Sequence, residues 1–268
     1  MSEPTRVLIT GAASGFGQAL ANEYLAAGVR VLGTDIAAER PAGVPAGADY
    51  LQLDVRDDAH WARARHWVQR EWGGLDLLIN NAGIAVGGTI DQTSMEDWQR
   101  IVDINLLGVA RGCHTFAPDF IAQGSGQIAN VASLAGLVHA PQMSAYNTVK
   151  AGVVALSDTL SHELAPHGIA VSAICPSFFR TALADSLDAP DPELESAARH
   201  LIDGAPRSAE TVARRAVKGI ARHRRVILTD VDGQVAWRLR RFALPVYHLA
   251  LDAAGRRLAG RGLASLRR

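Results

Sequence analysis

Lysine is nearly missing from this chain. Of 27 basic residues only Lys150 and Lys218 are lysine, and the rest are arginine. A compact ammonium on a flexible stem and a planar guanidinium fork do different work, so each lysine position raises a question of chemistry. Cysteine is almost as scarce. Cys113 and Cys175 are the only two and show no C-x-x-C spacing, which excludes a disulfide framework and points to a reducing compartment and buried thiols. No metal cluster is visible either, because His60 and His66 stand six apart, the wrong spacing for one helical face. A G-x-S-x-G nucleophile elbow is missing, and neither Ser14 nor Ser133 sits in one, so a serine hydrolase is set aside. Between Met1 and the strand-like run at Val7 there is no room for the apolar core of a signal peptide. The longest uncharged stretch, Phe120 to Val149, is broken by Gln, Asn, Ser, Gly and Pro, which excludes a membrane span.

The 268 residues are 48% hydrophobic and 20% charged, the composition of a soluble globular chain read as one domain. A formal net charge of zero argues against nucleic acid as a partner. That zero is a sum over unlike regions: residues 222–268 carry 11 Arg and 3 Asp, or +8, and residues 1–221 carry −8.

Short apolar runs alternate with helix-period segments, the pattern of βαβ units building a parallel sheet. Strands are expected at Val7 to Thr10, Val29 to Thr34, Tyr50 to Leu53, Leu75 to Asn80, Gly126 to Ala132, Ile169 to Cys175 and Val226 to Leu228. Helices are expected up to Ala27, then over Asp58 to Trp72, Met95 to Ile121, Ala145 to Ala165 and Ser208 to Arg222, with Thr93 and Glu96 as a capping box.

Thr10, Gly11, Ala12, Ala13, Ser14, Gly15, Phe16 and Gly17 mark the turn from first strand to first helix, where glycines let backbone N–H groups face a pyrophosphate. Alone the run is weak evidence. Asp35, 18 residues past Gly17 at the end of the second strand, supplies the acid that such a site uses on an adenosine ribose. A carboxylate there repels a 2′-phosphate by roughly 4 kcal/mol at about 4 Å and an effective dielectric near 20. NAD is therefore expected over NADP. Ala13, Ser14 and Ile36 offer no cation to an extra phosphate, and Arg40 is the nearest arginine downstream.

Tyr146 and Lys150 stand four apart at the start of a helix, so phenol and ammonium share a face and the lysine favours phenolate. Ser133 ends one strand, and Asn80, Asn81, Ala82 and Gly83 close another, at the carboxyl edge where open parallel sheets bind ligands. Asn105 lies inside the following helix, a poor place for Asn unless its side chain bonds backbone or water.

With these residues in that order, the chain resembles the short-chain dehydrogenase/reductase family over about residues 5–181. The resemblance implies an α/β fold, a Rossmann-type doubly wound parallel sheet in a single domain, here with a C-terminal helical extension. Thr10 to Gly17 match the family's TGxxxGxG loop, Asp54 and Val55 its adenine-side pair, and Asn80 to Gly83 its NNAG segment. Asn105, Ser133, Tyr146 and Lys150 match its catalytic tetrad: Tyr146 as general acid/base, Ser133 on the substrate oxygen, Lys150 also on the nicotinamide ribose, and Asn105 in a water-linked relay. Pro176 and Thr181 match its PGxxxT segment, with Ser177 in the glycine position. The implied cofactor contacts are Gly11, Ser14, Gly15, Phe16, Gly17, Asp35, Asp54, Val55, Asn81, Ala82, Gly83, Tyr146, Lys150, Pro176 and Thr181.

The implied activity is an NAD-dependent oxidoreductase interconverting a secondary alcohol and a ketone. The alternative is a catalytically silent NAD-binding sensor or scaffold. Ser133, Val138, His139, Met143 and Tyr146 are the expected substrate contacts, and the mostly apolar stretch around them favours a hydrophobic, steroid-like or long-chain molecule over a sugar. Residues 182–206 are expected to form a substrate lid within a body spanning 1–230, followed by a basic amphipathic extension at 231–268. In that extension Val235, Leu239, Phe242, Val246 and Leu249 recur at spacings of 4, 3, 4 and 3. The stripe is read as packing on its own core or a second subunit, with peripheral membrane contact through Trp237 and the arginines as the alternative. The expected state is a cytoplasmic homodimer or homotetramer, membrane-peripheral if that alternative holds, with no metal and no nucleic acid.

Overall fold

A computed structural model describes residues 4–181, 187–188, 196, 199–200 and 202–265. Short runs of Val, Leu, Ile, Ala and Thr become strands β1 (Arg6–Thr10), β2 (Arg30–Asp35), β3 (Asp49–Gln52), β4 (Leu77–Asn80), β5 (Ala85–Val86), β6 (Gly126–Val131), β7 (Ile169–Ile174), β8 (Leu187–Asp188) and β9 (Val226–Ile227). Seven of them form one parallel sheet in the order β3-β2-β1-β4-β6-β7-β9, and β5 pairs with β8 beside it. The order reverses between β1 and β4, which opens a crevice at the strands' carboxyl ends.

Both faces of the sheet are covered, which is why its central strands read as continuous apolar runs. Leu8, Ile9, Leu77, Leu78 and Ile79 are fully buried. One face packs against α1 (Gly15–Ala26) and, through Val212, Ala213, Ala216 and Ile220, against a later helix (Ala209–Ala221). The other packs against α2 (Asp58–Trp72) through Trp61, Ala64 and Val68, and against two further helices through Val109, Phe116, Phe120 and Val153.

The single helix expected over 95–121 is divided. It comprises α3 (Met95–Val102), a π-helical turn (Asp103–Leu107) and α4 (Gly108–Gln123). Its cap is Ser94, not Thr93: the Ser94 hydroxyl accepts from the Asp97 amide at 3.0 Å, and the Thr93 hydroxyl donates to the Thr89 carbonyl. Next come α5 (Ser144–Glu163) and α6 (Ala209–Ala221). The extension folds as two helices, α7 (Val231–Phe242) and α8 (Leu244–Ser265).

The apolar stripe of that extension does not pack on the core. Val235, Phe242, Val246 and Leu249 are 57%, 78%, 55% and 67% exposed. Trp237 and Tyr247 turn inward instead, Trp237 partly buried against the core and Tyr247 only 5% exposed. Long amphipathic side chains make the contact because they bury an apolar body while delivering a polar tip. Among the described residues no helix is long and apolar enough to cross a membrane. Of the expected lid, residues 182–186, 189–195, 197–198 and 201 lie outside the described residues, as do the first and last three residues of the chain.

Candidate active site

The turn after β1 is built by close approach. Gly11 adopts φ +65°, and a Cβ on Gly17 would lie 2.1 Å from the Gly11 carbonyl oxygen, so α1 meets the turn only if residue 17 has no side chain. Phe16 is buried, and Ser14 caps α1 with an exposed hydroxyl that makes no cap bond. Asn81 closes the neighbouring strand onto this turn: its Nδ2 donates to the Thr10 carbonyl at 2.8 Å, and the Asn81 and Ala82 amides donate to the Thr10 hydroxyl at 2.9 and 3.0 Å. The result is a cradle of small residues with backbone amides at its rim, the shape a dinucleotide pyrophosphate requires.

Asp35 stands at that rim, accepting from the Ala13 amide at 3.2 Å and the Ile36 amide at 2.9 Å. Arg40 is committed elsewhere, its guanidinium donating to the Ala48 carbonyl at 2.8 Å and the Pro45 carbonyl at 2.5 Å. Asp54 has its carboxylate held by Arg56 at 2.7 Å, which keeps it below the usual carboxylate range, and Val55 is buried beneath Gly108.

The polar centre lies between β6, α5 and the π-helical turn. Ser133 opens a single 3-10 turn (Leu134–Gly136), its hydroxyl accepting from the Ala135 amide at 3.1 Å. That turn sits flush on α5: a Cβ on Gly136 would come within 2.5 Å of the Lys150 carbonyl oxygen. Tyr146 and Lys150 project from the first turns of α5, with the ammonium 5.7 Å from the ring centroid. Lys150 donates to the Val131 carbonyl at 2.9 Å. Asn105 is fully buried rather than exposed, and its amide clamps Ile84 by accepting from the Ile84 N–H at 2.9 Å and donating to its carbonyl at 2.8 Å. Gly83 is wedged between them, where a Cβ would lie 3.1 Å from Asn105 Oδ1 and 3.7 Å from Lys150 Nζ.

Burial sets the protonation here. It pushes the Tyr146 phenol up to about 12, with the Ser133 hydroxyl offsetting part of the rise. Burial likewise pushes the Lys150 ammonium down to about 8. In the protein by itself desolvation therefore outweighs the help that Lys150 was expected to give the phenolate. At neutral pH the phenol carries its proton and the ammonium mostly keeps its charge.

Pro176 through Thr181 roof the cradle. Phe179 meets Phe16 edge-on at 5.4 Å between ring centroids. Ser177, in the position where the motif has glycine, donates its hydroxyl to Asp230 at 2.5 Å. Asp230 caps α7, accepts also from the Thr229 hydroxyl and the Gly233 amide, and lies 3.8 Å from Arg207. Burial works to raise its pKa, but the hydrogen bonds from Ser177 and Thr229 and the charge of Arg207 hold it below the usual range. The loop after Ser133 is bound to the extension as well. Arg240 donates to the Leu137 carbonyl, and the His139 amide donates to the Tyr247 hydroxyl at 3.0 Å. Val138 is half-buried and Met143 adjoins α5, while His139 faces outward toward Arg240.

Sequence reasoning missed Gly136, Asp230, Arg240 and Tyr247. Gly136 had a local signal in the Ser-Leu-Ala-Gly run, whereas the other three depend on where the extension docks.

Residues 5–192 match the family model described as short chain dehydrogenase. A 3-alpha-(or 20-beta)-hydroxysteroid dehydrogenase of Mycobacterium bovis is 35% identical over 182 residues, covering 66% of this chain and 70% of the relative. A short chain dehydrogenase/reductase from Burkholderia phymatum, solved in complex with NAD, superposes with a TM-score of 0.82 at 30% identity, covering 91% of this chain and 95% of that one. A short-chain dehydrogenase from Sphingobium yanoikuyae in complex with NADPH superposes with a TM-score of 0.73 at 26% identity, covering 92% and 95%. The chain belongs to the short-chain dehydrogenase family.

Proposed function

We propose that this short-chain dehydrogenase is an NAD-dependent oxidoreductase interconverting a secondary alcohol and a ketone on a hydrophobic, steroid-like or long-chain molecule. The observation that carries the reading is the buried pair of Tyr146 and Lys150 with the half-buried Ser133 at the carboxyl edge, beside a nucleotide cradle in which Gly17 has no room for a Cβ. When bound, the nicotinamide dinucleotide supplies the acceptor or donor of a hydride at its C4 carbon.

The glycine turn with Ser14 and Phe16 would hold its pyrophosphate, with Asn81, Ala82, Gly83, Pro176 and Thr181 along the remainder. Asp35 would bond the adenosine ribose, and the commitment of Arg40 to loop carbonyls supports NAD over NADP. In reduction the Tyr146 phenol, protonated at neutral pH, would give its proton to the substrate oxygen that Ser133 fixes, and in oxidation its phenolate form would take that proton. The Lys150 ammonium would favour the phenolate from which oxidation starts and which reduction leaves behind, and Asn105 orders the Ile84 backbone and the floor beside Gly83. Leu137, Val138 and Met143 give the substrate side its apolar character, and the similarity to a hydroxysteroid dehydrogenase supports that class. We place residues 1–230 in the dehydrogenase body, with 182–206 as its lid and 231–268 as an extension, and read the assembly as a cytoplasmic homodimer or homotetramer.

The test mixes the protein with NAD and a panel of hydrophobic secondary alcohols and follows absorbance of the reduced cofactor. Turnover faster with NAD than with NADP is expected. Saturable NAD binding without turnover on the panel would favour the silent sensor instead, and an active Tyr146→Phe would overturn the assigned base.

A further inference from the structure

The α7–α8 hairpin and the loop at 139–141 enclose a cleft of about 680 Å³ that shares only His139 with the substrate contacts named above. That volume falls within the roughly 300 to 1,000 Å³ of small-molecule sites. Its walls carry Arg240, Arg256, His139, His248 and one carboxylate, Asp252, beside the apolar Leu251. No carboxylate among the described residues pairs with Arg240 or Arg256. Arg240 Nη1 donates to the Leu137 carbonyl and lies 3.5 Å from His139 Nε2, and the Arg240 side chain lines the cleft. Burial and the charge of Arg240 hold His139 below its ordinary pKa, so this cleft already disfavours another cation.

Guanidinium forks bind oxyanions through paired N–H donors, and an apolar wall beside them accommodates a chain. Asp252 on the same wall opposes a second negative charge, which favours a singly charged carboxylate over a phosphate dianion. We infer that this cleft binds an amphipathic carboxylate, its head on Arg240 and Arg256 and its chain along Leu251. Such a ligand has two sources: the distal end of a long substrate, or a separate molecule acting through His139 and the loop it belongs to. Binding stands on the cleft alone, whereas its link to turnover rests on the oxidoreductase reading.

The probe is decanoate, titrated calorimetrically into the full chain, with decanol as the neutral control. Saturable binding of decanoate, weaker for decanol, and at least a tenfold loss of affinity in Arg256→Gln with partial recovery in Arg256→Lys are expected. Arg256 is exposed, so its substitution leaves the fold alone. Competition between decanoate and a neutral secondary alcohol in the NAD-linked assay assigns the cleft to the substrate's distal end, and a changed kcat at saturating alcohol assigns it to a separate effector. Absent binding, or equal affinity in wild type, Arg240→Gln and Arg256→Gln, overturns the site. Decanoate binding without turnover of any alcohol upholds the site and overturns the oxidoreductase reading instead.

Discussion

Lys150 in the polar centre and Asp230 at the root of the extension are both buried, at 4% and 3% exposure, yet their surroundings differ. Asp230 accepts from Ser177, Thr229 and Gly233 with Arg207 nearby, so its charge is matched by donors. Lys150 has the Val131 carbonyl and no carboxylate partner among the described residues. A buried charge with a full set of partners organises structure, and one without them is held at a cost by the packing around it. At Lys150 that packing is Gly136 against the helix backbone and Gly83 against the ammonium. The comparison separates the region that fixes the chain from the region that reacts.

The sharpest way to break this division is to remove the proton carrier. Tyr146→Phe should lower kcat/KM for a secondary alcohol by about 10² to 10⁴, the usual contribution of a positioned acid or base, with little change in the thermal midpoint. The converse should hold at the junction. Asp230→Ala strips the acceptor from Ser177, Thr229 and the α7 cap and should cost about 3 kcal/mol in denaturant unfolding. A loss below about 1 kcal/mol would mean that the junction is not what secures the extension.

Lys150→Met should do what few core substitutions do, abolishing activity while raising stability. The displacement of the ammonium from 10.5 to about 8 corresponds to about 3 kcal/mol against the charged form. Leaving the Val131 carbonyl unpaired returns about 1 kcal/mol, so a gain of about 2 kcal/mol at pH 7 is expected. The pH dependence gives the sign. Because the folded pKa lies below the unfolded one, wild-type stability is reduced at and below pH 8 and recovers as pH rises from about 8 to 10.5. The advantage of the variant should therefore shrink between pH 7 and pH 10. Burial raises both thiols to about 12, which weakens folding as pH rises past 9. That contribution is present in both proteins and largely cancels in the difference.

The body was legible because its signals are local. The glycine turn, the strand-end Asn81 and the four-residue step from Tyr146 to Lys150 each carry their geometry in adjacent residues. Asn105 was found by its awkward position, although its burial and its clamp on Ile84 follow from a π-helical turn that no periodicity announces. In the extension the expectation that the stripe packs on its own core fails, because a 4-3-4-3 apolar spacing defines a helix face without naming what the face meets. The docking side is carried by Trp237, Arg240 and Tyr247, whose polar tips hide them from a hydrophobic pattern.

A third carboxylate extends the comparison to the cofactor. Asp35 lies between the two extremes, half-buried and accepting from only two backbone amides, so lone pairs remain open at the rim of the cradle. An acceptor with capacity to spare is the one placed to meet a ribose, and its charge opposes a 2′-phosphate. Solvent reaches this rim, so the roughly 4 kcal/mol expected at an effective dielectric of 20 is screened to a fraction of that value. Asp35→Ser should accordingly raise kcat/KM with NADP relative to NAD by about tenfold, or about 1.4 kcal/mol. Arg40 sets the limit on that gain, because its guanidinium is spent on the Ala48 and Pro45 carbonyls and adds no attraction for the phosphate. A ratio unchanged in the variant would show that Asp35 serves the fold, as Asp230 does, and that another group selects the dinucleotide.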